Sequence, residues 1–308
     1  MSGSGPGARG RARPHERGGR RAPAGSTGSS RPRTPATADL AALAARLTAR
    51  DRQLCRLLHE HRVFTTDQVT ALLFWSANAA QHRLLVLARL GIVDRFRPLL
   101  PHGQGSAPWH YVLGPAGAAV LAAEQATTAD RLGYRRDRVL AVAHSQRLGH
   151  LVGVNGFFAA LAGDARRRPD AALAVWLSER QCADRWGHVV RPDGYGRWQH
   201  GPHRADFFLE YDNGTEPLDR VLAKLEGYAE LAAATQTTAP APVLLWLPGP
   251  GRETTLRAAL GDRPPVPVAT ATARGGTHPA AAVWLPAPGG GPRRPLAALA
   301  APGRPAGP

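Results

Sequence analysis

The sequence predicts an α+β multidomain chain, two folded parts between two disordered ends. Three observations predict it. Residues 1–37 are Arg-, Gly-, Ser- and Pro-rich with almost no large apolar side chains, and 271–308 return to Ala/Pro/Gly/Arg-rich low complexity, so neither end promises a core. Between 38 and 125, leucines recur at helical spacing and give way to two strand-like runs. Between 138 and 270, apolar strand-like runs alternate with helical ones, which predicts a mixed sheet flanked by helices. A charged stretch, 126–137, reads as a solvated connector.

In the first part, Leu40, Leu43, Leu47, Leu54, Leu57 and Leu58 keep helical spacing, and Thr48 or Asp51 caps a break between two short helices. Thr65 or Thr66 opens a short helix carrying Val69, Leu72 and Leu73. A turn at Trp75-Ser76-Ala77 leads into a third helix over 78–90, which Gly91 stops. Residues 92–99 and 109–113 are strand-like, joined by a Gly/Pro-rich segment suited to a flexible wing, and Gly114-Pro115 opens another helix. This is the order of a winged helix-turn-helix, whose third helix enters the major groove while the wing touches backbone or minor groove. The third helix then offers Ser76, Asn78, Gln81, His82 and Arg83 to duplex DNA, and the wing offers Arg97. Asn and Gln can read adenine and Arg can read guanine. A helical protein–protein module fits the same pattern and stays open here.

Charge favours the DNA reading. Over 308 residues, 39 basic side chains face 23 acidic ones, a net +16 that suits nucleic acid or an anionic membrane face. No apolar run is long enough for a transmembrane helix, and the N-terminus lacks the apolar stretch of a secretory signal. Eight arginines against Glu16 make residues 1–37 a basic arm, either a phosphate-binding or a solubilising one. Cys55 and Cys182 stand far apart, which argues against a disulfide framework or zinc site and for a cytoplasmic protein with two free thiols. Lys224 is the sole lysine beside 38 arginines. Either chance left it there, or arginine does not serve at that position.

The second part reads α-β-β-β-α-β-α-β: helix over 137–163, strands at 172–178, 189–191 and 205–211, helix 216–234, strand 243–247, helix 254–260 and strand 266–269. That order is found in PD-(D/E)XK nuclease-like domains, which pair a Pro-Asp near the second strand with an acid and a lysine on the third. The carboxylates hold Mg²⁺ and the lysine assists the attacking water. Pro192-Asp193 and Glu210 match, but Asp212 stands at the lysine position. Lys224, on the following helix, shares its spacing with Val221, Leu225 and Tyr228 and so can face inward. The candidate catalytic set is therefore Asp193, Glu210 and Lys224, with Asp193 and Glu210 as metal ligands. The plainer alternative makes Asp193 a turn residue and Glu210 and Asp212 strand-end acids. No Gly-Lys-Ser/Thr follows Gly249-Pro250-Gly251, and Ser145 lacks a nucleophile elbow, so an ATPase or serine hydrolase is not supported.

These segments resemble the replication-relaxation family of actinobacterial plasmids and integrative elements. The resemblance rests on 52–73, 84–95, 111–117, 144–158, Arg191-Pro192-Asp193-Gly194 and, most specifically, FLEYDNGTEPLDRVLAKLEGY at 208–228. It implies a DNA context, in plasmid replication or in DNA relaxation for transfer, rather than a defined reaction. Three functions follow: a DNA-binding accessory factor with a homodimer or replication and transfer proteins as further partners; a Mg²⁺-dependent nuclease; or a transcriptional regulator. The first is favoured.

Overall fold

The computed structural model describes residues 37–98, 105–236, 240–274 and 276–299, and the basic arm expected over 1–37 lies outside them except for Thr37, which begins a helix. The first part contains α1 (Thr37–Ala45), α2 (Ala49–His61), β1 (Phe64–Thr65), α3 (Thr66–Leu73), α4 (Ala77–Arg89), β2 (Val93–Phe96), β3 (His110–Leu113) and α5 (Pro115–Glu124). Two helix starts are set by reciprocal capping. Thr48 and Asp51 close one box on α2, and Thr65 and Gln68 close another on α3. β3 pairs antiparallel with both β1 and β2, making a three-stranded sheet in the order β1-β3-β2. Leu54, Leu58, Val69, Leu84, Leu87, Ile92, Leu113 and Leu121 fill the core beneath it. The tip of the hairpin, 99–104, lies outside the described residues.

The second part contains α6 (Arg136–Ala141), a 3-10 turn (Val142–His144), α7 (Leu148–Ala165), β4 (Ala171–Ser178), α8 (Glu179–Trp186), β5 (Gly194–His200), β6 (His203–Tyr211), α9 (Leu218–Ala234), β7 (Val243–Leu247), α10 (Pro250–Leu260), β8 (Val268–Thr272), β9 (Leu285–Ala287) and a last 3-10 turn (Leu296–Leu299). The six-stranded sheet runs β4-β5-β6-β7-β8-β9. β4, β5 and β6 are an antiparallel meander, β6, β7 and β8 are parallel, and β9 returns antiparallel. One face packs Phe157, Phe158 and Leu161 of α7 against Phe207 and Leu209, and the other packs Val221, Leu225 and Tyr228 of α9 against Phe208 and Leu245.

Three expectations are corrected. The strand expected at 189–191 is instead β5, beginning after Asp193. Its alternation is hidden by Gly194 and Gly196, where a Cβ would lie 2.6 Å from the Phe158 ring and 2.3 Å from that of Phe207. The expected disordered tail from 271 is folded through 299 over the described residues. Trp284 is buried with its indole N–H donated to the Pro279 carbonyl at 2.7 Å, Leu296 is buried beside it, and Arg293 pairs with Glu253 at 2.6 Å. Ala, Pro and Gly dominate there, yet Trp284, Leu296 and Ala297 join the core on the α7 side of the sheet. The connector is not freely solvated either. Tyr134 donates its hydroxyl to the Leu113 carbonyl at 3.2 Å, and Arg136 pairs with Asp94 at 2.9 Å.

The two parts share an interior. α7 lies against α3 closely enough that a Cβ on Gly163 would sit 3.1 Å from the Ala71 methyl. Gln68 donates to the Val152 carbonyl at 2.7 Å, and Arg166 donates to the carbonyls of Ala71 and Phe74 at 2.9 and 3.1 Å, satisfying the end of α3. His61 stacks on Trp176 of β4 with ring centroids 3.8 Å apart. Burial holds the His61 imidazole down, to about 4, and its Nδ1 has no partner. A histidine depressed in the folded state contributes stability that is complete above its unfolded value near 6.5 and is lost as pH falls towards 4. Denaturant melts of wild type and His61→Phe at pH 7 and pH 4.5 are expected to differ by about 2–3 kcal/mol in acid sensitivity, wild type losing more. Equal losses would remove His61 from the account.

Candidate DNA-facing helix and buried acid cluster

The first candidate site is the outer side of α4. Ser76, Asn78, Gln81 and His82 are exposed, while Ala80, Leu84 and Leu87 on the opposite side are buried. The helical period produces this division. Ser76 is the N-cap, its Oγ accepting from the Ala79 N–H at 3.3 Å. Asn78, Gln81 and His82 have no hydrogen-bond or ionic partner among the described residues. Arg83 departs from its expected base-reading role. Its Nε donates to Asp51 Oδ1 at 3.0 Å and its Nη2 to the Arg46 carbonyl at 3.2 Å, so the fork faces α2. Burial alone would raise the Asp51 carboxyl, but hydrogen bonds from Arg83 and Thr48 hold it below the usual range. This neutralised pair is a strut between helices. Beyond α4, Arg97 is exposed just after β2, its guanidinium 4.3 Å from the centre of the Trp109 ring, with Arg95 at 4.2 Å from the same ring.

The second candidate site is buried at one end of the six-stranded sheet. Gly194 pairs with Leu209 across β5 and β6, which sets Asp193 and Glu210 next to each other at the end of that ladder. Lys224 and Tyr228, one turn apart on the buried face of α9, each take one oxygen of Glu210. Lys224 Nζ lies 2.8 Å from Oε2, and the Tyr228 hydroxyl donates to Oε1 at 2.5 Å. Lys224 also reaches Glu216 at 3.4 Å. Asp193 Oδ2 accepts the Tyr211 N–H at 2.8 Å, and Oδ1 lies 3.1 Å from His150 Nε2 of α7, an ionic contact poorly aligned as a hydrogen bond. Asp212, at the motif's lysine position, is held by Arg252 at 2.6 Å.

The structure thus brings Asp193, Glu210 and Lys224 together. Sequence reasoning missed His150, Tyr228 and Glu216. Tyr228 was detectable, since it stands four residues after Lys224 on the same helical face. His150 was not, because nothing local marks α7 as the neighbour of Asp193.

Burial and the Asp193 charge push the Glu210 carboxyl up to about 8 despite the ammonium beside it. Burial opposes the charge on Lys224, but Glu210 and Asp193 outweigh it and hold the ammonium protonated. His150 is likewise raised, Asp193 overcoming burial. This donor set does not fit Mg²⁺, which requires near-octahedral oxygen ligands. All four oxygens of Asp193 and Glu210 are engaged by protein groups, and an ammonium stands beside Glu210. Among the described residues no group of three or more His, Cys, Asp or Glu side chains is arranged to hold a metal ion.

A mixed α/β body with an exposed helix between short helices and a hairpin, and a sheet closed over an acid–lysine cluster, defines the class. The replication-relaxation family model matches residues 55–244, from α2 to β7, spanning both candidate sites. The chain belongs to that family. No curated protein and no solved structure matches it. No helix among the described residues is long and apolar enough to cross a membrane.

Proposed function

We propose that this protein is a duplex-DNA-binding accessory factor of plasmid or mobile-element replication or DNA relaxation, acting in the cytoplasm. It docks through a winged helix-turn-helix made of α2, α3, α4, the β2–β3 wing and α5. Its second half, of PD-(D/E)XK nuclease-like order, is a scaffold that does not cleave. The observation that carries the reading is the division of α4 into a buried apolar side and an outer side with unpartnered Asn78, Gln81 and His82. Those side chains have the donors and acceptors that base edges require. The exposed wing arginines Arg95 and Arg97, the surplus of positive charge and the family's name support the same reading.

The test is enrichment of duplexes from a random library. Wild type is expected to enrich a defined sequence. Asn78→Ala with Gln81→Ala is expected to lose roughly 30-fold or more in affinity for it, at about 1–3 kcal/mol for each of the two base contacts, while keeping its salt-dependent binding to unselected duplex. A wild type that enriches no sequence ends the base-reading role of α4.

A nuclease is the second reading, favoured by the convergence of Asp193, Glu210 and Lys224. Supercoiled plasmid incubated with Mg²⁺ or Mn²⁺ is expected to stay intact. Metal-dependent nicking that disappears in Asp193→Ala, Glu210→Ala would replace the scaffold with an enzyme.

A further inference from the structure

Trp75 is 72 % exposed and is the one exposed large hydrophobic side chain among the described residues. It immediately precedes Ser76, the N-cap of α4. A single exposed indole is ordinary on a protein surface, so its surroundings decide whether it marks a contact. Its support comes from the other half of the molecule. The Arg166 guanidinium, at the C-terminal end of α7, lies 4.5 Å from the centre of the Trp75 ring while its Nη1 is fixed by the Ala71 and Phe74 carbonyls at 2.9 and 3.1 Å. Arg50, at the start of α2, lies 4.8 Å from the centre of the Phe74 ring. Burial and the charges of Arg50 and Arg167 lower the Arg166 guanidinium, so three cations share this corner. Arg50 and Arg167 are exposed and have no carboxylate partner among the described residues. The nearby acids are already used, Asp164 by Arg168 at 3.6 Å and Asp51 by Arg83.

We propose that this corner is a second DNA contact, seating the sugar–phosphate strand that borders the groove entered by α4. Arg50 and Arg167 take phosphates, the Trp75 indole packs on deoxyribose, and Arg166 positions the indole. The proposal rests on the DNA-docking reading and adds that the nuclease-like half, through α7, is part of the binding surface. Charge selects the occupant. Unpaired guanidiniums around an apolar plate match a backbone of alternating phosphate and sugar, and residues ahead of a recognition helix lie where that backbone passes.

The probe is an unselected duplex of about 30 base pairs, titrated with the full chain by fluorescence anisotropy from about 50 to 200 mM salt. The N-terminal arginines are common to all variants, so differences report the corner. Arg50→Ala with Arg167→Ala is expected to lower the salt slope by about 1.8, at roughly 0.9 per phosphate, with a loss of about tenfold or more at 0.1 M salt. Arg50→Lys with Arg167→Lys should restore the slope, which separates lost charge from a damaged fold. Trp75→Ala should weaken binding several-fold with an unchanged slope, because the contact it removes is apolar. A double alanine variant that keeps wild-type affinity and slope overturns the proposal, and is the result expected if the corner instead serves an acidic protein. If that variant is silent while Asn78→Ala, Gln81→Ala still abolishes sequence enrichment, DNA docking stands and the corner alone falls. A wild type that binds no duplex at any salt overturns both.

Discussion

Lys224→Met is expected to cost roughly 2–3 kcal/mol more at pH 10 than at pH 5, because each pH unit above about 8 is worth about 1.4 kcal/mol to the wild-type carboxyl and nothing to one that stays protonated. Methionine keeps most of the stem's volume and removes only the charge, leaving the buried Glu210 carboxyl without its counter-ion. At pH 5 Glu210 takes up a proton and the loss is small, since its carboxyl already titrates near 8 with Lys224 present. Above pH 8 the wild type gains by ionising Glu210 beside the ammonium, whereas burial and Asp193 keep the variant's carboxyl protonated. In the wild type the raised carboxyl contributes stability that is complete below its unfolded value near 4.5 and is lost as pH rises through about 8. His150, also raised, acts in the same direction. Glu210→Gln should therefore flatten the alkaline side of the stability profile. A Lys224→Met variant equally destabilised at both pH values would reduce the lysine to a packing stem. Lys224→Arg tests why arginine is absent from this one position. The Lys224 ammonium takes one oxygen of Glu210 while the Tyr228 hydroxyl holds the other, so a fork that needs both oxygens competes with Tyr228, and a Lys224→Arg variant with wild-type stability would leave chance as the reason for the lysine.

Local chemistry explains what was legible beforehand. Thr48, Thr65 and Gly91 end or begin helices by hydrogen bonds and backbone freedom set within a few residues, so α2, α3 and α4 could be placed before any packing was known. The isolated apolar run of β7 was equally plain. Lys224 was legible because composition made it conspicuous and its spacing turned it inward. β5 was illegible because Gly194 and Gly196 owe their identity to phenylalanine rings from α7 and β6. α8 was missed because Cys182 is its only buried residue. Arg83 was misplaced because its partner, Asp51, lies 32 residues away in sequence. Periodicity says which side of a helix is polar, not which polar residue on it meets another helix.

The same distance dependence underlies the second large effect, at Asn155. This residue is 2 % exposed, and its amide donates to the carbonyls of His61 and Val63 at 3.0 and 2.7 Å. Those carbonyls flank Arg62, which holds a φ of 71° in a tight turn closed by the Val63 N–H on the His61 carbonyl at 2.9 Å. A non-glycine residue in that conformation persists only when its surroundings hold it. Asn155→Leu preserves shape but strips both carbonyls of a buried donor, which costs about 2–4 kcal/mol. The loss should be local. Hydrogen exchange of amides in α2 and α3 is expected to quicken well before that of β6 and β7, because Asn155 is a tie between α7 and the turn ahead of β1. Uniform loss of protection across both halves would mean the residue matters only to global packing. Five residues earlier on the same helix, His150 meets Asp193. α7 is therefore held at one point by the part that carries α4 and at another by the buried acid cluster. If its docking loosens in Asn155→Leu, duplex affinity should fall although no residue of α4 has changed, because the Arg166 end of α7 moves with it.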